Sequence, residues 1–400
     1  MNLLVAPAHS FFDPSYGSEP AWANNIVSNL AKNFEIHINV ICGRGMDQNL
    51  PKNVKLFQVG YHGGNLYNRA FFTCRYYNLA RKLLNKADIV HHMFPFGFRF
   101  GFNPLAVLGC LRKKPFVVGP VQYPQQYSDM DDFTWSAGKK AGWAGLLYQT
   151  ENVATSLASK QLERLHKSTL EEAEALVFDS EKAVKLYTKQ YPDILDSKLL
   201  HVIPPGVEQK FFVEPAQIDK KILEILTVGY LLKRKGIQHL IRAMIPVLEE
   251  FGNVKLKIVG DGPYKESLIR LTKELSLNDF VEFSGRVPRN ELPMVYANSD
   301  LYVQPSLSET FPSALREAMA AGRPVVTTDV GVIGEYLEDG VNGYLVPPKS
   351  PEALSRKIIT LLLDDGWRAK IGEETRKYAK ENFDWNKLAT DWYNIYDGIT

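Results

Sequence analysis

The sequence predicts an α/β protein built from two doubly wound, Rossmann-like parallel sheets. Short apolar runs alternate with longer amphipathic segments along all 400 residues, which is the pattern of repeated βα units. The pattern occurs as two series, separated by the break Pro204-Pro205-Gly206. A chain of 400 residues also exceeds what one hydrophobic core usually serves. We therefore expect two domains, residues 1–205 and 206–383, followed by a helix over 384–400.

The apolar runs define the expected strands of each sheet. Runs of this length with little polar alternation are typical of strands that are buried on both faces. In the first half the predicted strands are Leu3–Ala6, Ile36–Ile41, Val54–Val59, Ile89–His92, Phe116–Gly119, Ala175–Phe178 and Leu200–Ile203. In the second half they are Glu224–Val228, Lys255–Val259, Val281–Phe283, Leu301–Gln304, Pro324–Thr327 and Gly343–Leu345.

Composition and charge exclude several classes of protein. A net charge of +2 is too balanced for a dedicated nucleic-acid binder, so no nucleic-acid partner is expected. The cysteines Cys42, Cys74 and Cys110 lack His or Cys companions at metal spacing, which disfavours both zinc and a disulfide framework. No apolar stretch reaches about 18 residues, so no transmembrane helix is expected. Met1–Pro7 is interpreted as a first strand rather than a signal peptide. These features favour a cytoplasmic protein.

The segment from Gln304 to Pro324 carries most of the chemical information. A strand ends at Gln304, a loop follows, and Ser313 is a plausible N-cap of a helix that stops at Gly322. Unsatisfied amides and the dipole at a helix N-terminus favour phosphate, so this helix start is a candidate diphosphate cradle. Glu309 precedes the helix and Glu317 lies inside it. A carboxylate at such a place can accept two vicinal hydroxyl protons of a ribose or hexose ring.

These residues resemble a known family. Glu309 and Glu317, followed by Ala318-Met319-Ala320-Ala321-Gly322-Arg323-Pro324-Val325, are similar to the signature of the family 4 retaining glycosyltransferases, or glycosyl transferases group 1. Further agreement comes from Pro204-Pro205-Gly206-Val207, Val259-Gly260-Asp261-Gly262-Pro263 and Lys235-Gly236. The resemblance implies the GT-B fold, in which two Rossmann-like domains face a central cleft and the C-terminal helix crosses back to the N-terminal domain.

The resemblance also implies roles for individual residues. Glu309 would lie against the donor sugar, Glu317 would bond the nucleotide ribose, and Lys235 would pair with the diphosphate. It implies no required cofactor and no metal. The family usually has an arginine where this chain has Tyr230, which removes one expected phosphate charge. The remaining donor-site candidates are Lys233, Arg234, Gly262, Arg286, Phe311, Pro312, Ser313, Ala314 and Leu315.

The N-terminal half resembles the family at two places. Gly17 lies in a loop between the first strand and a helix, where a glycine lets the backbone approach a ligand. Asp88-Ile89-Val90-His91-His92 resembles the family's strand-end motif, in which a histidine contacts the donor sugar. We favour His92 for this role, with His91 as the alternative. Asp129-Met130-Asp131 looks like a metal motif of another glycosyltransferase fold, but we interpret it as a solvated loop.

A basic, aromatic helix in the first domain bears on partners. Residues 1–100 carry more Lys and Arg than Asp and Glu, and residues 69–82 interleave cations with aromatic side chains. Such a helix can lie on an anionic membrane, or it can simply bury its aromatics and expose its cations. The first reading would place the protein at the inner membrane face with a lipid-linked acceptor.

The function expected from the resemblance is transfer of a hexosyl unit from a nucleotide diphosphate sugar to an acceptor hydroxyl, with retention of configuration. Synthesis of cell-surface glycans, glycolipids or polysaccharides would use such a step. Two alternatives stay open at this point. One is a sugar-nucleotide hydrolase or epimerase, and the other is a non-catalytic nucleotide-sugar-binding subunit of a glycan assembly complex.

Overall fold

The chain is described from a computed structural model, which covers residues 1–11, 18–45, 50–60, 66–93, 101–111, 114–123, 160–215 and 222–400. Gly17 and Asp129–Asp131 lie outside these residues. The described chain divides into two compact units: the first comprises residues up to 206 together with 385–400, and the second comprises 207–384. Among the described residues, no helix combines the length and the apolar character needed to cross a membrane.

The first unit contains a parallel sheet of seven strands in the order β3-β2-β1-β4-β5-β6-β7. Its strands are β1 (Asn2–Phe11), β2 (His37–Gly45), β3 (Val54–Gln58), β4 (Ile89–His92), β5 (Phe116–Val121), β6 (Ala175–Phe178) and β7 (Leu199–Val202). Its helices before residue 206 are α1 (Ser18–Asn33), α2 (Leu66–Leu84), α3 (Pro104–Val107), α4 (160–172), α5 (Glu181–Gln190) and α6 (Pro192–Leu195). Two hydrophobic cores lie on the two faces of this sheet.

The second unit contains a parallel sheet of six strands in the order β10-β9-β8-β11-β12-β13. Its strands are β8 (Leu223–Val228), β9 (Val254–Val259), β10 (Val281–Gly285), β11 (Leu301–Gln304), β12 (Val325–Thr328) and β13 (Tyr344–Val346). Its helices are α7 (Ile237–Glu250), α8 (Lys265–Glu274), α9 (Leu292–Asn298), α10 (Ser313–Ala320), α11 (Pro351–Leu363) and α12 (Asp365–Asn382). Helices α7 and α11 pack together in its core.

The last helix, α13 (Trp385–Ile399), belongs to the first unit. It packs on α1, and its Trp385 and Trp392 are part of the first core. Tyr393 stacks on Phe34 with ring centroids 4.1 Å apart. The helix therefore crosses back to the N-terminal unit, as the fold class predicts.

Every predicted strand is present, and β4, β6 and β11 have the predicted bounds. The largest difference concerns β1, because the prediction ends it at Ala6, whereas the strand continues to Phe11. The pairing of β1 with β2 shifts register between Val5 and Ala8, so Pro7 falls within an irregularity of the ladder. A proline, which has no N–H to donate, is tolerated at such a place.

Two glycines allow loops of the second unit to approach each other closely. Gly236 has a φ of 68°, and a Cβ atom there would lie 1.8 Å from the carbonyl oxygen of Pro305. At Gly262 a Cβ atom would lie 2.5 Å from the carbonyl oxygen of Leu231. Both contacts involve backbone, so a side chain at either position forces a loop to move.

Replacement of Gly236 by alanine is expected to destabilise the second unit. A left-handed backbone at a non-glycine residue combines here with a backbone clash, so Gly236→Ala should lower the free energy of unfolding by about 2 kcal/mol or more. Chemical denaturation followed by circular dichroism measures the change. Gly252→Ala is the control, since nothing lies within 4 Å of a Cβ atom at that position. Equal stability of the two variants would contradict the predicted clash.

Candidate functional site

The strand order of the second sheet changes direction between β8 and β11. The chain runs outward from β8 to β9 and β10, then returns to form β11, β12 and β13 on the other side. In open parallel sheets, ligands bind at such a switch point, outside the carboxyl ends of the strands. The loops that follow β8 and β11 meet there, and they carry residues 229–236 and 305–312.

Backbone and side-chain bonds join these two loops. The amide of Leu307 donates to the carbonyl oxygen of Arg234 over 2.7 Å. The Arg234 guanidinium donates in return to the carbonyl oxygen of Ser308 over 3.2 Å. Together with the close approach of Gly236 to Pro305, these bonds fix the relative position of the charged side chains on the two loops.

A buried ion pair lies at the junction of the loops. Lys235 Nζ donates to Glu309 Oε1 over 2.5 Å, and Ser306 Oγ donates to the same oxygen over 2.7 Å. Arg234 Nη1 lies 3.8 Å from Glu309 Oε2. Glu309 is only 7% exposed, and burial alone would raise its pKa. The charges of Lys235 and Arg234, with the bonds from Lys235 and Ser306, outweigh burial and hold the pKa of Glu309 below its ordinary value.

The other cation candidates near this loop differ in their environment. Tyr230, which stands where the family has an arginine, is 55% exposed. Lys233 is exposed as well, whereas Arg234 is half-buried and faces Glu309. Lys233 and Arg234 are the nearby cations that could replace the family arginine, and Arg234 is the one placed beside a buried carboxylate.

Helix α10 starts at the same edge of the sheet, and its N-cap differs from the prediction. Pro312 is the N-cap and Ser313 is the first helical residue, so the expectation of a Ser313 cap is wrong. Proline suits this place because its fixed φ leads into a helix and it has no amide to satisfy. The first backbone bond of the helix runs from the amide of Arg316 to the carbonyl oxygen of Pro312. The amides of Ser313, Ala314 and Leu315 therefore precede the bonded turns, as a diphosphate cradle requires.

An aromatic cluster supports the start of α10. The ring of Phe311 stacks on Tyr336 with centroids 5.2 Å apart and packs edge-on against Phe383. The guanidinium of the buried Arg316 lies 4.8 Å from the Phe311 centroid. The side chain of Phe311 is thus held within this cluster, so its predicted contact with the donor would have to come from its backbone.

Glu317, the second predicted carboxylate, is held by two partners. Arg289 Nη1 donates to Oε1 over 3.0 Å, and the hydroxyl of Tyr296 donates to Oε2 over 3.0 Å. The Glu317 side chain is 5% exposed. Burial raises the pKa of Glu317, and Arg289 and Tyr296 offset this only in part. Glu309 and Glu317 are therefore both buried, but only Glu309 has a lowered pKa.

Sequence reasoning missed Arg289, Tyr296 and Ser306. The predicted Arg286 is exposed, and Arg289, three residues later, is the arginine that reaches Glu317. A local signal was available for Ser306, which lies three residues before Glu309 in the same loop. The contacts of Arg289 and Tyr296 depend on helix packing that the sequence does not display.

The predicted histidines end β4, at the switch point of the first sheet, where β1 lies between β2 and β4. His91 Nε2 lies 3.0 Å from the carbonyl oxygen of Gly119, and Nδ1 lies 2.8 Å from the hydroxyl of Tyr396 on α13. A carbonyl oxygen can only accept, so Nε2 carries the proton and Nδ1 accepts from Tyr396. Both ring nitrogens of His91 are therefore used within the unit, and the donor contact of His92 stays a prediction.

His92 is itself buried, with 1% exposure. Burial, with smaller effects of His91 and His166, lowers the pKa of His92 to about 3. The His92 imidazole is therefore neutral near pH 7, a state that suits a hydrogen bond to a sugar hydroxyl rather than pairing with a phosphate.

A groove with two cationic side chains opens at the carboxyl ends of β2 and β3. Arg75 and Lys82 of α2 line it with Gln58 and Asn78, and none of its described lining residues is acidic. On the same helix Tyr76 is buried in the core, whereas Arg81 and Lys82 are exposed. The described part of α2 thus buries this aromatic residue and exposes its cations.

The two parallel, Rossmann-like sheets define the class of protein by its fold, which is GT-B. HepE of Anabaena, solved in complex with UDP, has a TM-score of 0.68 at 17% identity, with 100% of both chains covered. Residues 208–378 match the family model of the glycosyl transferases group 1. Over these residues, which lie in the second unit, the chain is similar to the group 1 glycosyltransferases.

Two curated relatives are similar to about half of the chain. An uncharacterized glycosyltransferase of Methanocaldococcus jannaschii is 38% identical over 180 residues, 45% of this chain and 45% of that protein. The phosphatidylinositol N-acetylglucosaminyltransferase gpi3 subunit of Schizosaccharomyces pombe is 30% identical over 210 residues, 52% of this chain and 45% of that protein. The matches thus span about half the length of these relatives.

Removal of the Lys235 charge is expected to destabilise the protein in a pH-dependent way. Lys235→Met leaves the buried Glu309 with Arg234 as its remaining nearby cation and should lower the free energy of unfolding by about 2 kcal/mol near neutral pH. The lowered pKa of Glu309 means that the ion pair stabilises the native state above the ordinary glutamate pKa. This contribution is lost as the pH falls, so the variant and the wild type should converge in acid. Urea titrations at a series of pH values measure this, with Lys233→Met as the exposed control, and a pH-independent difference would contradict it.

Proposed function

We propose that this chain is a retaining glycosyltransferase that moves a hexosyl unit from a nucleotide diphosphate sugar to an acceptor hydroxyl. The observation that carries the proposal is the meeting of Lys235, Glu309 and the start of α10 at one switch point. Cations and free helix amides suit a diphosphate, and a buried, ionised carboxylate suits sugar hydroxyls. Retention of configuration rests on the resemblance to family 4.

The donor is assigned to the second unit. Its diphosphate would lie against the amides of Ser313, Ala314 and Leu315, and Lys235, which contacts Glu309, would pair with it. The lysine would then divide its charge between the diphosphate and Glu309. Stabilisation of charge that develops on a leaving group is a large catalytic effect, because the cation is already in place.

The ribose is assigned to Glu317. A carboxylate offers about two acceptor positions on each oxygen, and Arg289 and Tyr296 occupy one on each. One acceptor position per oxygen remains, which matches the two vicinal hydroxyls of a ribose. HepE, which shares this fold, was solved in complex with UDP.

The proposed transfer step needs no general base from the protein. The bond between the anomeric carbon and the phosphate oxygen of the donor breaks, and the acceptor oxygen bonds to that carbon. The acceptor proton passes to the leaving phosphate oxygen, which gives a nucleoside diphosphate and the glycosylated acceptor. In this scheme Lys235 stabilises the leaving diphosphate, while Glu309 orients the sugar. No metal or further cofactor is assigned a role.

The acceptor is assigned to the first unit and is proposed to be a sugar or a lipid-linked molecule. The groove lined by Arg75 and Lys82, with its exposed cationic helix, supports an anionic surface as a partner. One relative, the phosphatidylinositol N-acetylglucosaminyltransferase gpi3 subunit, has a lipid in its name. We accordingly propose a cytoplasmic location, peripheral to the inner membrane face.

Loss of the Glu309 carboxylate is expected to abolish transfer. Release of nucleoside diphosphate is measured from a panel of nucleotide sugars, with wild type and Glu309→Gln, and with and without a lipid extract as acceptor. Wild type should release diphosphate from one donor when the acceptor is present, and the variant should be slower by about a hundredfold or more. Glu373→Gln, an exposed carboxylate of α12, is the matched control.

The same assay separates the alternatives. Diphosphate release or donor isomerisation that is indifferent to acceptor would indicate a hydrolase or epimerase. Tight nucleotide binding without turnover would indicate a non-catalytic subunit. Full activity of Glu309→Gln would remove Glu309 from its assigned role.

Charge reversal on α2 is expected to weaken contact with anionic membranes. Arg81→Glu combined with Lys82→Glu should reduce binding to phosphatidylserine-containing vesicles by about tenfold or more, since each basic residue near such a surface contributes about 1 kcal/mol. Vesicle cosedimentation at low salt measures the change. Lys185→Glu combined with Lys189→Glu makes the same charge change on exposed residues of α5. An equal loss in both double variants would show a general charge effect instead of a binding surface.

A further inference from the structure

Arg289 joins two carboxylates in the second unit. Its Nη1 donates to Glu317 Oε1 over 3.0 Å, while Nε and Nη2 approach Glu208 Oε1 at 2.6 Å and 2.5 Å. The guanidinium also lies 5.1 Å from the ring centroid of Phe211. Its side chain is 46% exposed, against 25% for Glu208 and 5% for Glu317. A half-exposed cation therefore supplies charge to a nearly inaccessible carboxylate.

Glu208 belongs to the segment by which the chain enters the second unit, residues 207–211, here called the connecting segment. Its first residue, Val207, is fixed by a bond from its amide to the carbonyl oxygen of Phe383, 2.7 Å long. The segment supports Glu317 indirectly, through one residue on each of its two carboxylate oxygens. Glu208 holds Arg289, which holds Oε1, and Phe211 packs edge-on against Tyr296, which holds Oε2. Both oxygens of Glu317 are thus positioned by groups that rest on this segment.

Glu317 depends on Arg289 for its charge more than Glu208 does. Among the described contacts of Glu317, Arg289 is the cation that reaches it at ion-pair distance, and Tyr296 is neutral. Glu208 has a second cation, Lys210, whose Nζ lies 2.7 Å from its Oε2. Loss of Arg289 would therefore leave Glu208 paired with Lys210, whereas the buried Glu317 would retain the smaller electrostatic effect of Arg316, and this favours the protonated carboxyl.

We propose that Arg289 is a positioning residue for donor binding, which keeps Glu317 ionised and oriented toward the ribose and is itself held by Glu208 of the connecting segment. The inference rests on the proposed ribose contact of Glu317. A protonated Glu317 offers fewer acceptor positions to the two hydroxyls, so nucleotide affinity would depend on a residue that need not touch the nucleotide.

The test measures binding of UDP, GDP and ADP by titration calorimetry to the full chain at about pH 6 and about pH 8.5. For the nucleotide that wild type binds, Arg289→Gln should weaken affinity by about tenfold or more, and more strongly at the lower pH. The pH effect has this sign because the raised pKa of Glu317 leaves less of the carboxylate ionised in acid. Arg289→Lys should recover part of the affinity, since a lysine ammonium can pair with Glu317 but cannot also bond Glu208 as the guanidinium does.

Two further variants examine the role of Glu208. Glu208→Gln should weaken binding less than Arg289→Gln, and the double variant should be no weaker than Arg289→Gln alone, because both act through one guanidinium. Lys210→Gln is the matched control: it removes the other cation from Glu208 but leaves the contact between Arg289 and Glu317, so wild-type affinity is expected.

The outcomes separate this inference from the proposed function. Unchanged nucleotide affinity in Glu317→Gln would overturn the ribose assignment, and the inference with it. Weakened binding in Glu317→Gln with wild-type affinity in Arg289→Gln would overturn the inference alone. A loss in Arg289→Gln that is the same at both pH values, with no recovery in Arg289→Lys, would assign Arg289 a merely structural role and would also overturn it.

Discussion

The ion pair between Lys235 and Glu309 is the interaction on which the switch point of the second sheet depends. It exists because the strand order places β8 beside β11, so that loops from distant parts of the chain meet. A carboxylate with 7% exposure could not stay ionised there without nearby cations. The close approach of Gly236 to Pro305 brings those cations into range. Backbone packing thus determines the charge at the switch point, and the chemistry proposed for the site follows from it.

The pKa values of the two buried carboxylates are shifted in opposite directions because their cationic partners differ. Glu309 has Lys235 in direct contact and Arg234 nearby, and its pKa is lowered. Glu317 has Arg289, whose charge is divided with Glu208, and its pKa is raised. Burial acts on both in the same direction, and two cations act on each carboxylate, so the placement and sharing of these cations decide the outcome. A stable anion suits the sugar contact proposed for Glu309, whereas the ionisation of Glu317 depends on Arg289.

The sequence predicts the strands well and the contacts poorly. A strand buried on both faces of a parallel sheet is a local apolar run, which is why β4 and β11 appear with their observed bounds. The pairing of Lys235 with Glu309 joins residues 74 positions apart and depends on strand order, which no local pattern contains. The predicted Ser313 cap is wrong because Pro312 takes the cap position, although serine is by itself the more common N-cap residue.

Arg289 was missed for a related reason, since a half-exposed loop arginine looks like ordinary surface in a sequence. Arg289 and Lys235 nevertheless share one feature: each is a partly exposed cation paired with a buried carboxylate. The side chains of Arg289 and Lys235 are 46% and 22% exposed, while their partners Glu317 and Glu309 are 5% and 6% exposed. A cation at the rim keeps part of its hydration and still ionises a buried carboxylate, which a fully buried cation would do at a greater desolvation cost. An anionic donor that approaches from solvent would therefore meet the cations before the carboxylates, and this order favours binding of the diphosphate over its repulsion.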